Sequence, residues 1–262
     1  MSTRLEGWES KPFTHEGTEH LVFRRGSGPG VVVMHEIPGI TPPVERFARR
    51  VADAGFTVAM PWMFGEVGRP ASPGYVLREL GRACVSREFR VLAANESSPI
   101  TVWLRALARA LHEEVGGRGV GALGMCLTGN FALAMSVDPA MRAPVLSQPS
   151  LPFPLGARRV RAVHASDADL AVVKDRCAKD ELRILGLRFS HDPSCQKARF
   201  DTLRSLVGPA FEGIEIDSGP GNPHGNSRAA HSVLTEHFVD REGHPTKAAL
   251  DRVIAFFGEQ LR

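Results

Sequence analysis

The sequence predicts an α/β fold: a doubly wound, mostly parallel central sheet with helices on both faces. Three observations carry this. Val31-Val32-Val33-Met34 is a short continuous apolar run, as expected of a central parallel strand buried on both faces. The stretch 42–54 then places Val44, Phe47, Ala48 and Val51 at helical spacing and leads through Gly55 into a second apolar run at 56–61, a strand–helix–strand unit. Farther on, the apolar run 119–123 meets Gly124-Met125-Cys126-Leu127-Thr128-Gly129 and then the helix-like 130–135. That is a strand, a tight turn and a helix, with a cysteine at the turn.

The remaining elements follow in order. Residues 9–26 read as an amino-terminal hairpin around a glycine turn, and 26–30 as a turn cluster. Residues 62–98 interrupt the alternation: Trp62-Met63-Phe64-Gly65 and the Pro/Gly-rich 68–74 form a loop, 76–89 looks helical, and 95–99 ends it. This excursion is expected over the carboxyl edge of the sheet, where open α/β sheets place their ligands. A clear amphipathic helix spans 100–114 (Val102, Leu104, Leu107, Leu111) before the strand that leads to Cys126. Beyond that turn, 143–149 is a strand running into a loop, and 166–179 carries helical signals. Next come a strand at 182–189, a helix at 200–207, the last strand at 211–216 and a terminal helix at 246–261 (Ala249, Leu250, Val253, Ile254, Phe257). No repeat or linker divides the chain, so residues 1–262 are expected to form one domain.

Composition narrows the function. With 43% hydrophobic and 23% charged residues among 262, the chain resembles an ordinary globular protein able to bury a core without staples. Its +3 formal charge comes from scattered arginines, and only one tyrosine is present, so no nucleic-acid partner is expected. Cys84, Cys126, Cys177 and Cys195 lie far apart, without the spacing of a zinc ribbon or a secreted disulfide framework. Met1-Ser2-Thr3-Arg4-Leu5-Glu6 lacks the apolar core of a signal peptide, and no apolar run reaches membrane-spanning length. A reducing cytoplasm, with no membrane partner, is the expected setting, and it suits a working thiol.

Cys126 is the candidate nucleophile. A nucleophile on a strained strand-to-helix turn needs small neighbours, which Gly124 supplies, and the following helix points its N–H groups at the sulfur, where they stabilise negative charge. The hexapeptide alone also fits a buried structural cysteine at an ordinary turn. A cysteine nucleophile needs a base, an orienting carboxylate and an oxyanion hole. Asp192, where the strand at 182–189 opens into a loop before Pro193, is preferred to Asp201 inside a helix and to Asp217 after the last strand. His224 and His231 both follow that last strand, and spacing does not choose between them. Glu36, directly after the buried strand at 31–34, is a carboxylate aimed at the same edge, where partial desolvation should raise its pKa and make it a proton acceptor.

Four segments together resemble the dienelactone hydrolase family, from about residue 17 to 258. They are Met34-His35-Glu36-Ile37-Pro38-Gly39-Ile40, the cysteine turn 124–129, Leu185-Gly186-Leu187-Arg188-Phe189-Ser190-His191-Asp192, and Ala230-His231-Ser232 before a long terminal helix. The resemblance implies the α/β-hydrolase fold and the opening of a lactone ring through a Cys-His-Asp triad. It maps the nucleophile onto Cys126, the acid onto Asp192, the histidine onto His231 and the family's glutamate onto Glu36. The oxyanion N–H groups map onto Ile37 and Leu127. Two departures stand out. Thr128 replaces the glycine common after the elbow leucine, and no arginine follows His231 in Ser232-Val233-Leu234-Thr235. Arg87 and Arg90 are candidates for holding a substrate carboxylate.

The expected function is therefore hydrolysis of a small-molecule ester or lactone through an acyl-enzyme, without cofactor or metal, by a monomer or homodimer. Two alternatives remain from the sequence: a non-catalytic ligand-binding or scaffolding member of the fold, and a thioesterase or carbon–carbon hydrolase using the same site.

Overall fold

A computed structural model of the protein describes residues 4–86, 89 and 98–262. Among them the strands are β1 (Glu9–His15), β2 (Thr18–Arg25), β3 (Gly30–Met34), β4 (Thr57–Trp62), β5 (Val120–Met125), β6 (Met141–Ser147), β7 (Ile184–Phe189) and β8 (Phe211–Ile216). The helices are α1 (Pro42–Asp53), α2 (Pro73–Val85), α3 (Ile100–Val115), α4 (Gly129–Met135), α5 (Ala157–Arg161), α6 (Asp167–Ala178), α7 (Lys197–Val207) and α8 (Pro245–Leu261). The strands form one sheet in the order β1-β2-β4-β3-β5-β6-β7-β8. Only the β1–β2 and β2–β4 pairings are antiparallel; from β4 to β8 every pair is parallel. This is the α/β-hydrolase fold.

Side-chain alternation explains the two layers. Along β3, Val32 and Met34 face a core built with α3, α4, α6 and α7, while Val31 and Val33 face the opposite core with α1 and α8. All four are fully buried, each contributing roughly 1.5–3 kcal/mol by removal from water. No helix among the described residues is long and apolar enough to cross a membrane.

Several boundaries differ from the sequence expectation, for local reasons. Helix α2 starts at Pro73, not 76, because the backbone is still extended at Ser72 and proline suits a first turn; it ends at Val85. Helix α7 begins three residues early, its polar start Lys197-Ala198-Arg199 giving no apolar signal. The short α5, Ala-Arg-Arg-Val-Arg, was not expected at all, since it buries none of its residues.

The excursion after β4 packs onto the loop that follows β3. The Met63 N–H donates to His35 Nε2 (3.1 Å), the Gly68 N–H donates to the Ile40 carbonyl (2.8 Å), and the Phe64 ring meets the His35 ring edge-on. His35 is fully buried, and its pKa is lowered to about 4 chiefly by that burial, so the ring stays neutral. Its Nδ1–H is left to donate to the Glu36 carbonyl (3.2 Å). The segment carrying Glu36 and Ile37 is thus fixed from behind.

Candidate active site

The turn after β5 is built by close approach. A Cβ on Gly124 would lie 2.1 Å from the Thr128 carbonyl oxygen, and one on Gly129 would lie 2.6 Å from Pro149 Cα. Between them the chain makes a 3-10 turn over Cys126–Thr128 before α4. Cys126 has φ +54°, a left-handed conformation uncommon for a side-chain-bearing residue. The strain turns its half-buried side chain out at the carboxyl end of β5.

Thr128 has a structural reason for replacing glycine. Its Oγ1 accepts the Met125 N–H (2.9 Å) and lies within hydrogen-bond reach of the Met34 and His35 carbonyls (both 3.2 Å). The hydroxyl therefore fastens the cysteine turn to the end of β3, bringing the backbones at Leu127 and Ile37 to the same edge of the sheet.

Asp192 follows β7 and is buried. Its Oδ1 accepts the Ser194 N–H (2.8 Å) and its Oδ2 accepts Nδ1 of His231 (2.7 Å). His224, by contrast, is exposed, its ring against His244. Asp201 is an exposed helix residue paired with Lys197 and Arg204, and Asp217 accepts the Gly219 N–H at the start of a turn.

The Sγ of Cys126, a ring nitrogen of His231 and a carboxylate oxygen of Glu36 all lie within 4.8 Å of one another. Glu36 is buried, its Oε2 accepting from Ser232 Oγ (2.8 Å) and Gln148 Nε2 (3.2 Å) and its Oε1 from Thr235 Oγ1. Burial raises its pKa against the opposing effect of these donors. Thr235 stands among the residues after His231 that contain no arginine, and it serves Glu36. Thiolate, imidazole and carboxylate together are also a donor set able to hold a metal ion.

Sequence reasoning missed three contributors. Ser150 Oγ stands 3.5 Å from Cys126 Sγ and 3.4 Å from His231 Nε2, and its N–H donates to the Cys126 carbonyl (2.9 Å). Gln148, at φ +35°, accepts the Val233 N–H (3.3 Å) while donating to Glu36. Arg199 is wholly buried and donates to the carbonyls of Pro149 (2.5 Å), Pro152 (2.6 Å), Ala162 (2.9 Å) and Arg159 (3.0 Å), clamping the loop that carries Ser150. Arg87 and Arg90 lie outside the described residues.

Burial opposes charge on His231, but the facing Cys126 sulfur and the Asp192 carboxylate outweigh it and hold the imidazolium well above the ordinary 6.5. NMR titration is expected to place the His231 midpoint well above 6.5, and to find it lower in Cys126→Ala and Asp192→Asn. A midpoint unmoved in both variants contradicts this coupling. Because folding favours the charged form, its stabilising contribution is fully present below pH 6.5 and is lost as pH rises through the raised value.

A cleft of about 780 Å³ opens elsewhere, between the β1–β2 hairpin and α3. Its lining balances Lys11, Arg24 and Arg25 against Glu9, Asp53 and Glu114, and it holds none of the residues gathered around Cys126.

Comparison with known proteins gives the family. The family model for the dienelactone hydrolase family matches residues 20–261. A carboxymethylenebutenolidase of Rhodococcus opacus is 24% identical over 270 residues, covering 100% of this chain and 91% of the relative. Among solved structures, a Klebsiella pneumoniae protein assigned as a dienelactone hydrolase superposes with TM-score 0.64 at 17% identity, covering 96% of this chain and 98% of its own. A dienelactone hydrolase-like promiscuous phosphotriesterase from metagenomic libraries gives TM-score 0.61 at 18% identity, covering 97% and 98%. At those identities the superpositions speak to the fold. The chain belongs to the dienelactone hydrolase family and is an ester or lactone hydrolase of the α/β-hydrolase fold.

Proposed function

We propose that the protein hydrolyses a small-molecule carboxylic ester or lactone through a Cys126-His231-Asp192 triad and an acyl-enzyme. The observation that carries this reading is the 2.7 Å Asp192–His231 hydrogen bond, with the same imidazole beside a cysteine held at φ +54°. The Cys126 thiolate attacks the carbonyl carbon, and the N–H groups of Ile37 and Leu127 receive the oxyanion. Each such donor lowers the barrier by roughly 3 kcal/mol. His231, as imidazolium, gives its proton to the leaving alkoxide, which in a lactone stays tethered to the acyl group. The thioester is then attacked by water as neutral His231 takes one of its protons, and the carboxylic acid departs as the thiolate reforms, giving up its own proton to solvent. Asp192 keeps the Nδ1–H in place throughout. Glu36 is a second acceptor for the thiol proton, and Ser150 Oγ donates to the sulfur between turnovers.

Thr235 and the absence of an arginine beside it support a substrate class broader than dienelactones. A reducing compartment keeps Cys126 a thiol.

Alkylation tests the poise of the sulfur. Burial pushes the thiols of Cys177 and Cys195 up to about 11 and about 12, so neither competes near neutral pH. Iodoacetamide mapped by peptide mass is expected to label Cys126 first, ahead of half-buried Cys84. Equal labelling of Cys84 and Cys126 favours a silent, non-catalytic pocket.

A further inference from the structure

We propose that Glu36, Cys126 and His231 also form a Zn²⁺ site whose occupation reversibly shuts the enzyme off. Binding follows from geometry alone, whereas the loss of activity rests on the triad reading above. The three donor atoms lie within 4.8 Å of one another. Zinc takes thiolate sulfur at about 2.3 Å and imidazole nitrogen or carboxylate oxygen at about 2.0–2.2 Å in a tetrahedral site, so small side-chain movements bring all three onto one ion.

The surroundings are those a zinc site needs. Asp192 occupies Nδ1 of His231, which leaves the Nε2 lone pair to face the cluster, the carboxylate–histidine arrangement that orients metal-binding imidazoles. Glu36 is held by Ser232, Gln148 and Thr235, so its position is set before any ion arrives. A thiolate, a carboxylate and a neutral imidazole sum to −2, which neutralises a divalent cation in a buried place. Three protein ligands leave a fourth position for water, with the Ser150 hydroxyl adjacent to both sulfur and imidazole. Binding displaces the proton of the imidazolium and any proton on Glu36, and these leave to solvent. The ion then occupies the sulfur and Nε2 together, so nucleophile and base are blocked at once. Mg²⁺ and Ca²⁺, which require oxygen ligands, do not fit this set.

The test uses the whole protein, first stripped with a chelator that is then removed. Titration with Co²⁺ as a spectroscopic substitute should saturate at one equivalent, with a near-ultraviolet thiolate-to-metal band and intense visible bands of tetrahedral cobalt. The near-ultraviolet band should vanish in Cys126→Ala, and Glu36→Gln and His231→Ala should each weaken binding by at least about tenfold. One equivalent of Zn²⁺ should lower ester hydrolysis more than tenfold, EDTA should restore it, and Mg²⁺ should leave it unchanged. No band in the wild type, or a band that survives Cys126→Ala, overturns the metal site and leaves the triad untouched. A Cys126-dependent band with undiminished hydrolysis overturns the shut-off and counts against the triad itself.

Discussion

Cys126→Ala is expected to abolish ester and lactone hydrolysis, lowering kcat by about ten-thousandfold or more. Losses of that scale or larger follow removal of a triad nucleophile, and ten-thousandfold corresponds to about 5.5 kcal/mol of barrier. In the proposed mechanism the residual rate should come from the Ile37 and Leu127 N–H groups polarising a bound carbonyl, which alanine leaves in place. The fold should survive, because Cys126 is only half-buried and Gly124, Thr128 and Gly129 shape the turn. Unchanged far-ultraviolet circular dichroism with activity lost is the expected pair of results. A folded variant retaining full activity on every substrate of the wild type contradicts the mechanism.

His231→Ala is expected to lower acyl transfer by at least about hundredfold, the contribution of a positioned general acid–base. In the proposed mechanism the imidazole has two duties, protonating the leaving oxygen and deprotonating water, so both acylation and deacylation should slow. Its removal also leaves Asp192 buried without its 2.7 Å partner, which adds a stability cost of roughly 1–3 kcal/mol. His224→Ala should cost little in either respect, since that ring is exposed against His244. Parallel measurement of kcat/KM and thermal midpoint separates the two histidines. A large catalytic loss in His224→Ala, with His231→Ala near wild type, reverses the assignment.

How much of this was readable in the sequence depends on whether the cause is local. Val31-Val32-Val33-Met34 announces a strand because both its faces are buried, and the cysteine turn announces itself because close backbone approach demands Gly124 and Gly129 within six residues. Helix α5 and the start of α7 were illegible because their polar residues carry no apolar period. Arg199, the most consequential of these, looks like a solvated helix residue yet turns inward to four carbonyls. The residues around Glu36 were hidden for another reason. Ser232 and Thr235 lie 196 and 199 positions from it and Gln148 lies 112 away, so only the folded sheet brings them together. Ser150 belongs to the same class. Thr128, a departure by sequence, becomes intelligible once the carbonyls of Met34 and His35 are seen beside it.

The acyl-enzyme is the central claim, and intact-protein mass spectrometry during turnover of an activated aryl ester tests it most directly. Rapid acid quenching should trap a mass increase of one acyl group per chain, and proteolysis should place it on the peptide carrying Cys126 as a thioester cleaved by hydroxylamine. Cys126→Ala should show no such increase. An acyl group found on another residue, or full turnover with no acyl-protein in the burst phase, contradicts nucleophilic catalysis by Cys126.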